Sequence, residues 1–185
     1  MQKFTRFQDI PQFTRDGNYR VNLPWEYLED WLQRQMKGGE DVLPGEGLNL
    51  DPDFQRAHVW AEAQQAAYVE FRLRGGKSGR DILFNHPGWM GSFKGEFVIV
   101  DGKQRLEAVR KFMRDELIVF GSKYSEFTDK LRVASVDFIV VVNDLKTRAE
   151  VLQWYIEFNA GGTPHTDAEI AKVVKLLAAE KGKQQ

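Results

Sequence analysis

The run Phe97-Val98-Ile99-Val100, followed at once by Asp101-Gly102 and then by apolar residues at helical spacing, leaves this chain little choice of fold class. Four consecutive apolar residues, three of them β-branched, form a run too short for a helix and read as a buried strand. Leu106, Val109 and Phe112 then mark one face of a helix that starts near Lys103. A buried strand that feeds a helix through a glycine turn is an α/β unit, and the rest of the chain is read around it.

The same stretch concentrates functional groups. Gly102 lets backbone approach a ligand closely. Amides of a first helical turn point outward with positive partial charge, a natural seat for a phosphate or another anion. Arg105 offers a planar fork, Lys103 a point charge and Gln104 a neutral donor and acceptor. Asp101 can cap the helix, hold Mg²⁺ or orient Arg105. The spacing is equally that of a plain helix start, with Asp101 as N-cap and Lys103 and Arg105 in solvent. No Gly-x-x-x-x-Gly-Lys-Ser/Thr loop occurs, so this is not a Walker A site.

Elsewhere the chain alternates irregularly between strand and helix signals. Tyr19-Arg20-Val21-Asn22-Leu23 reads as a short strand stopped by Pro24, which suits a place just ahead of or at the first position of a helix carrying Trp25, Leu28, Trp31 and Leu32. Leu48-Asn49-Leu50 is a short strand candidate, and 62–74 a helix with Ala63, Ala66, Ala67, Val69 and Phe71 as its small and apolar positions. Asp81-Ile82-Leu83-Phe84-Asn85 and the β-branched segment 132–142 are further strands. Thr147 with Glu150, and Thr166 with Glu169, match capping boxes. The first would open a helix bearing Val151, Leu152, Trp154, Tyr155 and Phe158 that breaks at Asn159, the second a final helix with a frayed polar tail after 180. The expected fold is α/β (α+β), a small mixed sheet with packed helices and a helical C-terminal part, formed by 19–180 behind an arm of residues 1–18.

At 185 residues, 42% hydrophobic and 12% aromatic, the chain can bury a substantial core. A net charge of −1 gives no global attraction to nucleic acid, so any such contact needs a local patch. Arg72, Arg74, Lys77 and Arg80 form one candidate patch, and Lys103, Arg105, Arg110, Lys111 and Arg114 another. The absence of cysteine excludes thiolate metal sites, disulfides and cysteine nucleophiles. His58, His86 and His165 are too scattered to pair as zinc ligands, and His58 and His86 read as surface or hydrogen-bonded residues. No apolar run nears the ~20 residues of a membrane span and the N-terminus lacks a signal-peptide core, so a cytoplasmic location is expected.

Three segments also carry a resemblance. Asp101-Gly102-Lys103-Gln104-Arg105-Leu106 resembles the Asp-Gly-Gln-Gln-Arg-Leu motif of the N-terminal domain of GmrSD-type, modification-dependent restriction enzymes, in the ParB/sulfiredoxin-like superfamily. Asp53-Phe54-Gln55-Arg56-Ala57-His58-Val59-Trp60 is similar to that family's upstream Phe-Gln-Arg…Trp segment. Phe158-Asn159-Ala160-Gly161-Gly162-Thr163-Pro164 is similar to its downstream Asn-x-Gly-Gly-Thr-Pro turn, in the same order. The resemblance implies a ParB/sulfiredoxin-like fold whose strand-turn-helix binds nucleotide phosphates, in a family whose members hydrolyse nucleoside triphosphates to license a nuclease. By position it implies a phosphate-facing turn of Asp101, Gly102, Gln104 and Arg105, faced by Gln55 and Arg56, with Asn159, Gly161, Gly162 and Thr163 near the same pocket. Lys103 departs from the family's first Gln of the pair. The family's nuclease motif belongs to a separate C-terminal domain; His165 has no such context, and DNA cleavage by that route is not expected of these residues alone.

The leading expectation is therefore a nucleotide-binding, NTP-hydrolysing regulatory domain linked to DNA restriction or DNA metabolism. In it Asp101 and Arg56 are the candidate catalytic pair, Asp101 the Mg²⁺ ligand, and a separate nuclease or defence-system protein a candidate partner. The alternative is a non-enzymatic module that binds DNA or a protein through the same groove, as an accessory or anti-defence factor.

Overall fold

The computed structural model of the chain describes residues 3–10, 19–37, 47–55, 59–89, 91–129, 131, 136–160 and 167–182. Five strands, β1 (Tyr19–Pro24), β2 (Leu48–Asn49), β3 (Asp81–Asn85), β4 (Phe97–Asp101) and β5 (Asp137–Asn143), form one mixed sheet in the order β1-β5-β3-β4-β2. β1 runs antiparallel to β5, β5 parallel to β3, β3 antiparallel to β4 and β4 parallel to β2. The helices are α1 (Leu28–Lys37), α2 (Glu62–Leu73), α3 (Lys103–Met113), α4 (Arg148–Ala160) and α5 (Asp167–Gly182). The chain is mixed α/β.

Why the three apolar runs carry no polar alternation is now plain. Side chains of a strand point alternately to its two faces, and here both faces are covered. Ile82, Phe84, Phe97, Ile99, Phe138, Val140 and Val142 pack with Leu28 and Leu32 of α1, Val69 of α2, and Leu106, Val109 and Phe112 of α3. Their neighbours Leu83, Val98, Val100 and Val141 belong to a second cluster with Leu152 and Tyr155 of α4 and Val173 and Leu177 of α5. The sheet is thus the middle layer of three.

Several expectations hold residue by residue. The strand at 81–85, the α2 span to within a residue, and the burial of Trp25, Leu28 and Leu32 are as read. Thr147 and Glu150 form their capping box, with Glu150 Oε2 accepting from the Thr147 amide at 2.8 Å and Thr147 Oγ1 from the Glu150 amide at 3.2 Å.

Others are corrected. Pro24 does stand just ahead of the helical segment, which opens as a 3₁₀ turn, Trp25–Tyr27, but it is the last residue of β1 and not the residue that stops it, and the Trp25 amide donates to Val136 O. On α2, Phe71 is exposed while Arg72 is 2% exposed, because the Arg72 guanidinium finds the carbonyls of Gly76 and Asp137 inside. α4 runs through Asn159 to Ala160, and α5 continues to Gly182. Of the 1–18 arm, residues 3–10 are described, and Phe7 is 92% exposed. The Thr166 cap and residues 132–135 lie outside the described residues. Among the described residues no helix is long and apolar enough to cross a membrane.

His86 is a buried residue, not a surface one. It is 0% exposed, follows β3 directly, and stands edge-on to Trp89, Phe93 and Phe97. Its Nδ1 accepts the Gly88 amide at 3.0 Å, which fixes the neutral tautomer with the proton on Nε2. Burial pushes its pKa below the ordinary histidine value. An unfolded chain therefore takes up this proton at higher pH than the folded one, and the His86 contribution to stability is lost as pH falls below about 6.5. Urea unfolding from neutral to mildly acidic pH will show a decline in stability that His86→Gln makes shallower. Separately, Leu152→Ala in the second cluster will lower unfolding free energy by about 2–5 kcal/mol in the same assay.

Candidate functional site

Double coverage of β3, β4 and β5 confines their polar residues to the strand ends, and one end gathers three aspartates. Asp81 begins β3, Asp101 ends antiparallel β4, and Asp137 begins β5, which is parallel to β3. Each meets an arginine. Asp81 accepts from Arg20 at 3.2 Å, Asp101 from Arg105 at 2.5 Å, and Asp137 from Arg80 at 2.6 Å with Arg72 at 3.7 Å. Tyr68 lies beside this row and donates its hydroxyl to Gly79 O at 2.7 Å. Burial pushes its phenol up to about 12 against the opposing pull of Arg105 and Arg72.

At the Asp101 end the chain turns into α3. Gly102 adopts φ +97°, and a Cβ there would stand 2.5 Å from Ile82 Cδ1, so the turn requires glycine. Gly102 O accepts the Leu106 amide at 2.9 Å, and no side chain caps the helix. Of the roles open to Asp101, N-capping is not the one adopted. Its Oδ2 takes Arg105 Nη2, which also donates to Asp81 O at 3.0 Å. Arg105 Nε is buried without a partner among the described residues, and no hydrogen bond to Nη1 is seen there either. A guanidinium has five N–H donors, so much of its capacity beside the turn is unmet.

The two glutamines act on backbone. Gln55 Nε2 donates to Val100 O at 2.6 Å and Ile99 O at 3.3 Å, at the end of β4. Gln104, 8% exposed, turns inward, and its Oε1 accepts the amides of Val59 at 2.9 Å and Trp60 at 3.1 Å. Together they fasten the segment before α2 to the β4–α3 turn at two points. Lys103 faces the other way and pairs with the exposed carboxylate of Asp51. Gln55, Asp101, Gly102, Gln104 and Arg105 are thus brought together at the turn, with Lys103 on its other side. Asn159 is in the last turn of α4; Arg56, His58, Gly161, Gly162, Thr163 and His165 lie outside the described residues.

The basic patches read from sequence are largely neutralised. Arg72 and Arg80 are engaged inside, and Arg74 stands over the Phe120 ring at 5.1 Å. Arg110 and Arg114 converge on Glu29 at 3.0 and 2.6 Å. Although burial opposes it, hydrogen bonds from Arg110, Gln33 and Arg114 hold the Glu29 carboxyl at about 2. For a metal, Asp101 Oδ1 is the open carboxylate oxygen, and among the described residues no three His, Asp or Glu side chains gather. That donor set fits Mg²⁺ held by one carboxylate with water and phosphate completing its shell, and no all-protein cage. No family model, curated protein or solved structure matches the chain, so the resemblance above rests on its three segments.

Asp51 reads in the sequence as half of a near pair with Asp53 that is equally a turn signature, and its partner Lys103 lies 52 residues on; nothing local marks Tyr68. Gln104→Ala strands two backbone amides and will cost about 1–3 kcal/mol in unfolding free energy. Hydrogen exchange at Val59 and Trp60 should accelerate well beyond that of the sheet amides.

Proposed function

We propose that the β4–α3 turn binds the phosphates of a nucleoside triphosphate, in a regulatory domain of ParB/sulfiredoxin-like type linked to DNA restriction or DNA metabolism. The observation that carries this reading is Arg105. It is held in place through Nη2 by Asp101 and Asp81 O, yet has unmet donors beside an uncapped helix start and a glycine at positive φ. A preset guanidinium next to a helix N-terminus attracts a polyanion through both hydrogen bonds and the helix dipole. Lys103 adds charge at the same start, with Asp51 as the group an incoming phosphate displaces.

Binding and turnover draw on different residues. In the binding step Arg105 and Lys103 neutralise phosphate charge, while Gln55 and Gln104 hold the turn and the adjoining segment in one geometry. Mg²⁺, when bound, would be held by Asp101 and would offset charge on the phosphate oxygens. Hydrolysis needs a further group facing the transferred phosphoryl. Arg56 is the candidate that the resemblance supplies for that place. Gly161, Gly162 and Thr163 enter on the resemblance alone.

A DNA-binding module finds less support. Arg72, Arg80, Arg110 and Arg114 are matched by Asp137 and Glu29, which leaves Arg74, over the Phe120 ring, with Lys77 and Lys111 as the cations of the two patches without a carboxylate partner among the described residues. Nucleic-acid binding by so few cations would be weak.

Calorimetric titration with ATP, GTP, CTP and UTP, with and without Mg²⁺, tests the reading. At least one should bind, and Arg105→Ala should weaken it more than tenfold while circular dichroism shows the fold retained. Unchanged affinity in that variant, or no binding by the wild type at millimolar nucleotide, would overturn it.

A further inference from the structure

A cleft of about 420 Å³ opens directly beside the turn, between the residues that follow β2 and the outer face of α3. Its volume lies within the range of about 300–1,000 Å³ usual for small-molecule sites. Lys103 and Asp51 stand at one end, so the cleft and the candidate phosphate seat share a side chain. Leu50 and Leu106 give it apolar lining, and Glu107 lies one helical turn beyond Lys103.

The order of these groups along α3 carries chemical meaning. Four residues of helix advance about 6 Å, close to the reach from a 5′-phosphate to the hydroxyls of its own ribose. Among the described residues the Glu107 carboxylate makes only a long, 3.7 Å contact with Arg110, whose guanidinium is held by Glu29. Its carboxylate therefore has acceptor capacity to spare, and a carboxylate that takes two adjacent hydroxyls is a common way of gripping ribose. Apolar side chains beside such a group suit the flat face of a base. The side chain of Lys111, a further turn along the same lining, makes no hydrogen bond or ion pair among the described residues.

We infer that this cleft holds the nucleoside part of the ligand, with Glu107 accepting from the ribose hydroxyls and Leu50 and Leu106 against the base. The site would then select ribonucleoside over 2′-deoxyribonucleoside triphosphates. This rests on the nucleotide reading of the turn and adds where the sugar and base lie. Lys111 stands about 12 Å along the helix from Lys103, beyond the sugar and beside the base edge. In this arrangement α3 reads the ligand from phosphate to base in the direction of its own chain.

The test uses the four ribonucleoside triphosphates, their 2′-deoxy counterparts and inorganic tripolyphosphate as calorimetric probes. For the wild type, the ribonucleotide that binds should do so roughly tenfold more tightly than its deoxy form. Glu107→Gln should bring that ratio close to one, and Leu50→Ala should weaken both nucleotides severalfold. Neither variant should change the affinity for tripolyphosphate. Equal binding of ribo and deoxy forms by the wild type, or discrimination intact in Glu107→Gln, overturns the inference and leaves the phosphate seat standing. Failure of tripolyphosphate and every nucleotide to bind overturns both.

Discussion

Coverage of the central strands on both faces is the constraint on which the rest depends. Interior positions of β3, β4 and β5 must be apolar, because a polar side chain there would lose water and gain no partner. Polar groups are consequently driven to the strand ends, where loops and helix termini can match them. One end carries Asp81, Asp101 and Asp137 with their arginines; the other carries Asn85, His86 and Asn143. Asn85 illustrates how the second end is closed. Its side-chain amide exchanges hydrogen bonds with the backbone of Leu145 and so repeats, beyond the strand, the pairing a ladder would have made. Each end keeps buried groups without a partner among the described residues, the Nε atoms of Arg72, Arg80 and Arg105 at the first and His86 Nε2 and Asn143 Oδ1 at the second.

Much of this architecture was legible because its signals are local. Short β-branched runs bounded by Gly, Pro, Asn and Asp specify strands, and Thr147 with Glu150 specifies a helix start within four residues. What escaped depended on distant partners. Phe71 satisfies the apolar spacing of α2 better than Arg72, yet Arg72 is inside because carbonyls of Gly76 and Asp137 meet its guanidinium. Pro24 reads locally as the residue that stops a strand, but pairing with Asp137 keeps it in β1. Asn159 looks like a terminator, yet the helix continues past it to Ala160.

The candidate site divides in the same way. Its position after an apolar strand, and the need for glycine at 102, follow from neighbours in sequence. The division of labour among its side chains does not. Gln55 and Gln104 look like ligand groups when read in place. Among the described residues both bond to backbone groups 44 or 45 residues away, which makes them fasteners of the turn. The row of cations along α3 similarly loses most of its field once Glu29, on a separate helix, is set against Arg110 and Arg114.

The pairing of Lys103 with Asp51 also alters how an anion would respond to ionic strength. A bare lysine that takes up a phosphate releases counterions, and its affinity falls steeply as salt rises. Here a phosphate would exchange with a carboxylate already in place, so one ion pair is broken as another forms. Salt screens both pairs, and much of its effect cancels between the two states. Asp51 thus lowers the absolute attraction of the site while making it less sensitive to the ionic composition of the surroundings. In effect this cation is buffered by its own chain.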